Sequence, residues 1–173
     1  MKGGKALSYI LAIATAVLAL GADQLTKYIV ATKMQLNQTI PFLHDILDFT
    51  YIHNDGGAWG MFGGSRWMLL GVTSVMMIII LILLIRNGFQ KPLFFWSGCL
   101  IISGGLGNMI DRIFRDGLVV DFLQVKFIRF PIFNLADCAV VIGAGLLILY
   151  LLIDIAKESR EKKKEKPTEE ESE

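Results

Sequence analysis

The sequence predicts an all-α membrane protein of four transmembrane helices, with strand-like stretches in the segments between them. Three observations carry this. Of 173 residues 54% are hydrophobic, at a mean hydropathy of +0.55. Four apolar runs, residues 6–22, 67–85, 92–110 and 138–155, approach or reach the roughly 17–25 residues that cross a hydrocarbon core as helix. Apart from Asp154 near the end of the fourth, the charged residues fall between or beyond these runs.

The first run follows Lys2 and Lys5. With Ala19-Leu20-Gly21 near its end it has the outline of a cleavable secretory leader. Residues 28–31 continue the apolar helical pattern past Asp23-Gln24-Leu25-Thr26-Lys27, so we read it as a retained span. Residues 32–66 form a first segment between spans. Within it Ile46-Leu47-Asp48-Phe49-Thr50-Tyr51-Ile52-His53 is rich in β-branched and aromatic residues and predicts a strand. Asn54-Asp55-Gly56-Gly57 supplies a turn, and Gly60, Gly63 and Gly64 a flexible continuation.

Runs two and three are joined tightly around Asn87-Gly88, and Pro92 suits the first turn of a helix. A second intervening segment, residues 111–136, holds the strand-like Val119-Val120-Asp121-Phe122-Leu123-Gln124-Val125 and stops at Pro131 before the fourth run. The expected organisation is a membrane domain over residues 1–156, followed by a charged tail at 157–173. That tail, almost wholly Lys, Glu, Ser and Pro, predicts a helical extension fraying into disorder.

Lys2, Lys5, Arg86, Lys91 and the Lys-rich tail share one side of a four-span chain. Lys33, Arg66, Arg115, Lys126 and Arg129 share the other. The positive-inside bias is moderate and places both termini in the cytoplasm. Cys99 and Cys138 lie within spans, with the spacing of neither a metal site nor a disulfide framework, and read as small buried residues.

Ionisable side chains cost roughly 2.5–3.5 kcal/mol at a span centre. Here they gather at the ends of spans that this topology places on the extracytoplasmic side. Asp23 and Lys27 close the first, Asn108, Asp111 and Arg112 close the third, and Asn134 with Asp137 opens the fourth. Each has a plain structural reading. Asn134 and Asp137 have capping-box spacing, Asp23 and Lys27 are four apart and can pair, and Asn108, Asp111 and Arg112 share a helix face. Asp121 differs, because it interrupts an apolar strand with no cation beside it.

Two carboxylates held together at a membrane boundary do not both ionise cheaply, so one keeps a proton. The charged member takes a proton from water, and the protonated one polarises a carbonyl. Asp137, near a helix N-terminus, is the better stabilised anion, which leaves the proton to Asp121; spacing alone also leaves Asp111 open as the partner. Thr26 and Lys27 are sequence neighbours pointing apart on a helix, which disfavours a hydroxyl–lysine nucleophile. Ser74, Ser97 and Ser103 have no His in any span, and His44 and His53 lack zinc-helix spacing. A transporter using carboxylates as ion sites requires charges near mid-span, where the sequence shows none.

Five blocks in order resemble the signatures of bacterial lipoprotein signal peptidase (signal peptidase II). They are Asp23-Gln24-Leu25-Thr26-Lys27, Asn54-Asp55-Gly56-Gly57-Ala58-Trp59, Gly104-Gly105-Leu106-Gly107-Asn108-Met109-Ile110-Asp111-Arg112, Val119-Val120-Asp121-Phe122 and Phe133-Asn134-Leu135-Ala136-Asp137. The resemblance runs from the first span to the fourth and omits only the charged tail. It implies a membrane aspartic endopeptidase that removes signal peptides from prolipoproteins bearing a diacylglyceryl cysteine, cutting on the N-terminal side of that cysteine. It implies Asp121 and Asp137 as catalytic, and it is the resemblance that selects Asp121 over Asp111. Asp23, Asn54, Asn108, Arg112 and Asn134 fall on supporting and substrate-holding positions, with Lys27, Gly56 and Asp111 beside them in the same blocks. It further implies a small extracytoplasmic β-sheet, a mobile segment above the site, no metal or cofactor, no nucleic-acid partner, and residence in the bacterial inner membrane with the site at its outer face. Trp59 stands where Phe is frequent in the family.

Overall fold

The structure, a computed structural model, describes residues 2–56, 65–87 and 91–165. Its elements are α1 (Lys2–Lys33), β1 (Thr39–Leu43), β2 (Leu47–Asn54), α2 (Arg66–Asn87), α3 (Pro92–Phe114), β3 (Val119–Val125) and α4 (Leu135–Glu165). All four helices are long and apolar enough to cross a membrane. The burial pattern is inverted from that of a water-soluble protein. Val17, Leu18, Ile78 and Leu152 are exposed, while Lys27, Asp23, Asp111 and Asp121 are at most 1% exposed. Lipid replaces water around such a surface, and charges retreat to the interior where partners exist.

α3 is the central helix, packed against α4, α1 and α2. Pro92 opens it, as the sequence predicts. Its glycines set the distances to α4 and to the Asp23 side chain on α1. A Cβ on Gly104 would stand 2.2 Å from the Ala136 carbonyl oxygen, and one on Gly107 2.6 Å from Asp23 Oδ2. Only glycine lets these backbones approach so closely, as at small-residue helix contacts in membranes generally.

α1 is longer than the first apolar run. Tyr28, Ile29, Val30 and Ala31 continue the helix to Lys33, as their apolar pattern predicts. Asp23 and Lys27 lie ten and six residues below the helix end, about 15 and 9 Å along its axis. The charges therefore sit well before the end of α1, paired there with neighbours.

The three strands form one antiparallel sheet, ordered β1-β2-β3. β3 occupies the strand read from sequence, and β2 is shifted by one residue from its expected limits. β1 was not foreseen. Pro41 marks against a strand, but β1 is an edge, where a missing N–H costs nothing. The sheet packs on the last turns of α1 through Val30, Tyr51, Val120 and Phe122, with Ala31 and Met34 alongside. A register shift in β2 between Phe49 and Ile52, opposite β3, is a one-residue bulge. Strand side chains alternate faces, so the extra residue reverses the parity of everything after it. Ile52 pairs with Asp121, and Asn54 comes onto the Asp121 face in place of His53.

α4 extends to Glu165, continuous with the predicted helical extension of the fourth span. The Gly57–Gly64 stretch, including Trp59, and the tail beyond Glu165 lie outside the described residues.

Candidate active site

Asp121, on β3, is held by two amides. Asn134 Nδ2 donates to Oδ1 at 2.6 Å and Asn54 Nδ2 donates to Oδ2 at 2.8 Å. Gly56 acts through Asn54, since its N–H donates to Asn54 Oδ1 at 3.0 Å and fixes which way the amide faces. Asn134 and Asp137 form a reciprocal cap at the start of α4. The Asp137 N–H donates to Asn134 Oδ1 at 3.0 Å and the Asn134 N–H donates to Asp137 Oδ2 at 3.1 Å. The structural reading of this pair is correct and incomplete: Asp137 Oδ1 is turned the other way, accepting from Asn108 Nδ2 at 2.8 Å. Asn134, wholly buried, is thus tied to both carboxylates, to Asp121 through its side chain and to Asp137 through its main chain.

Beneath lies a buried ion network. Lys27 Nζ is 3.0 Å from Asp23 Oδ2 and 3.3 Å from Asp111 Oδ2, and it donates to Asn108 Oδ1 at 3.0 Å. Asp23 Oδ1 accepts the Ala136 N–H in the first turn of α4, while Asp111 Oδ2 accepts the Val120 N–H on β3. The network therefore fastens α1, α3, β3 and α4 around one point. Arg115 Nε stands 3.4 Å from Asp111 Oδ1. Arg112, 7% exposed, lies within electrostatic reach of Asp137, Asp121 and Asp111, with its Nε free of any hydrogen bond.

Four carboxylates here face three cations, Lys27, Arg112 and Arg115. One surplus negative charge remains, which a single proton removes. Burial, and next the charge of Asp137, push the Asp121 carboxyl up to about 7; the Asn54 and Asn134 amides and Lys27 pull the other way without prevailing. Asp111 is equally buried, with Lys27 and Arg115 beside it.

Asp121 and Asp137 open onto a cavity of about 580 Å³ with Asn54, Asn108 and Arg112. Its other walls, including Phe130, Pro131, Ile132, Phe133, Cys138 and Val141, are apolar. Asp111 and Lys27 do not line it. Cys138 was passed over as a small buried residue; its place directly after Asp137 in a helix's first turn was the available signal. Thr26 is spent on its own helix, donating to the Ala22 carbonyl at 2.8 Å. His44 and His53 are exposed, beside Asp45 and Tyr51. Among the described residues no three His, Cys, Asp or Glu side chains are grouped as metal ligands would be.

The family model of signal peptidase (SPase) II matches residues 15–153, most of the chain and all of this site. The chain belongs to the signal peptidase II family. Among its relatives, the lipoprotein signal peptidase of Brevibacillus brevis is 41% identical over 142 residues, covering 82% of this chain and 93% of that one. That of Lactococcus lactis subsp. lactis is 40% identical over 145 residues, covering 84% and 95%. That of Moorella thermoacetica is 40% identical over 146 residues, again covering 84% and 95%. Two solved bacterial membrane enzymes share the fold. One has a TM-score of 0.81 at 33% identity, covering 92% of this chain and 94% of its own. The other has 0.76 at 34%, covering 82% and 92%. The four-span architecture with a small sheet is thus that of signal peptidase II.

Proposed function

We propose that Asp121 and Asp137 are the catalytic pair with which this signal peptidase cleaves lipoprotein precursors, on the N-terminal side of a diacylglyceryl-modified cysteine. The observation that carries this is the placement of both carboxylates on one cavity, joined through Asn134, with Asp121 retaining a proton near neutrality.

Asp137 is the anion, stabilised by the helix N-terminus, the Asn134 N–H and the Asn108 amide. It takes a proton from water as the oxygen attacks the scissile carbonyl carbon, while Asp121 gives its proton to the carbonyl oxygen. A neutral tetrahedral diol results. Asp137 then protonates the nitrogen, Asp121 recovers a proton from a hydroxyl, and the C–N bond breaks to a carboxylic acid and an amine. Arg112 and the surrounding amides hold the peptide. Asp23, Lys27 and Asp111 position the pair by fixing the elements that bear it.

The lipid-linked cysteine suits a cavity with a polar centre and apolar walls. The same reading puts the site on the extracytoplasmic side of a bacterial inner membrane, with both termini and the charged 157–173 tail in the cytoplasm; the basic residues around residues 86–91 and in the tail support it. The test is turnover of a diacylglyceryl precursor peptide by purified Asp121→Asn and Asp137→Asn proteins. Each is expected to fold as wild type and to lose about 10²–10⁴-fold in rate, the scale of losing an acid–base partner. Wild-type turnover by a folded double variant overturns the assignment.

A further inference from the structure

Arg66 opens α2, yet its side chain serves the turn that joins α3 to β3. Its Nη2 donates to the Ile113 carbonyl at 2.9 Å, and its Nη1 stands 4.0 Å from Asp116 Oδ1. The guanidinium lies over the Trp67 ring, 5.2 Å from its centroid. The stem is fitted as closely as the head. A Cβ on Gly117 would stand 3.0 Å from Arg66 Cβ and 3.1 Å from its Cγ and Cδ. Gly117 also has a φ of +91°, so glycine is required there twice over.

The turn needs that donor. The last carbonyls of a helix have no partner within it. At the end of α3 the Asp111 carbonyl accepts the Arg115 N–H at 2.7 Å, and the Arg112 carbonyl accepts the Gly117 N–H at 3.0 Å. The Ile113 carbonyl is met instead by Arg66, from another helix. A cation is favoured at this end of a helix. Asp116, with a φ of 53°, and Gly117 then reverse the chain into β3.

The two functional side chains that flank the turn depend on it unequally. Asp121 is held by Asn54 and Asn134, and its strand by the bond from the Val120 N–H to Asp111. Arg112 has a weaker seat. Its Nη1 donates to the Asn108 carbonyl of its own helix at 3.4 Å, and its Nε has no hydrogen bond. Where its guanidinium stands in the cavity is therefore set by where the last turn of α3 stands.

We propose that Arg66 is a positioning residue for substrate binding: by capping the Ile113 carbonyl and bracing Gly117, it holds the last turn of α3 so that Arg112 faces the peptide in the Asp121–Asp137 cavity. Arg66 itself does not line that cavity. The inference rests on the peptide-holding role given to Arg112 above.

The test is steady-state turnover of a diacylglyceryl precursor peptide by the full chain as wild type, Arg66→Met, Arg112→Ala and the double variant. Losing an interaction that holds substrate and transition state alike raises KM and spares kcat. Arg66→Met keeps a stem against Gly117 and loses the donors. It is expected to raise KM about tenfold, within the roughly 10²-fold that a misplacement of about 1 Å can cost, with kcat changed less than about twofold. Arg112→Ala should raise KM at least as far, and adding Arg66→Met to it should change nothing more, because the two act as one. Arg66→Lys keeps the charge and one donor for Ile113. It should recover part of the loss, and it carries the same comparison if the Met variant does not fold. A wild-type KM in Arg66→Met overturns the proposal, as does an equal further rise on top of Arg112→Ala. A fall in kcat at constant KM also overturns it, being the mark of lost folded enzyme. A wild-type KM in Arg112→Ala overturns it together with the role of Arg112, and leaves the aspartate pair to its own test.

Discussion

Replacing Lys27 with methionine keeps the length of the side chain and removes its charge. In the native protein the ammonium is fully buried, 3.0 and 3.3 Å from carboxylate oxygens of Asp23 and Asp111, and it donates to Asn108 Oδ1 at 3.0 Å. The variant leaves Asp23 without its ion partner and Asp111 with only Arg115. Removing one partner of a buried ion pair costs about 3–5 kcal/mol, because the remaining charge stays desolvated. For a chain of this size that lowers the unfolding midpoint by roughly 10 °C. Asp111→Asn in the same protein removes one stranded charge and is expected to restore about half of the loss. The assay is thermal unfolding in detergent micelles, followed by circular dichroism for the wild type, the two single variants and the double. A Lys27→Met protein within about 1 kcal/mol of wild type, or strict additivity in the cycle, would refute the reasoning.

The pH dependence of kcat/KM should fall on the alkaline side with a midpoint near pH 7, where Asp121 loses its proton. The same group makes a stability prediction. Its folded value lies above the unfolded one of 3.8, so the native state binds the extra proton between about pH 4 and 7 and stability declines as pH rises through that window. The span is on the order of 4 kcal/mol, and Asp121→Asn should flatten it in pH-dependent unfolding. Gly104→Ala places a methyl group against the Ala136 carbonyl and should cost about 1–3 kcal/mol by overpacking. It should lower kcat as well, because α4 carries Asp137; unchanged unfolding and turnover would show that the helices have room.

Much of the site was legible because its polar residues are misfits. Asp121 in an apolar strand, and Asn134 with Asp137 at capping distance, announced themselves locally. Four spans followed from run length alone. What escaped depends on contacts between distant positions. Lys27 meets Asp111 across 84 positions. β1 escaped because Pro41 forbids a central strand and only an edge tolerates it. The bulge in β2 has no single-residue signature, yet it decides that Asn54 and not His53 faces Asp121.

The most direct measurement is an infrared titration of the carboxyl C=O stretch in the folded, substrate-free protein, wild type against Asp121→Asn. A protonated-carboxyl band that disappears with a midpoint near pH 7 and is absent from the Asn variant is the predicted result. A wild-type protein with no such band above pH 5, or one whose band survives in Asp121→Asn, would contradict a proton held by Asp121.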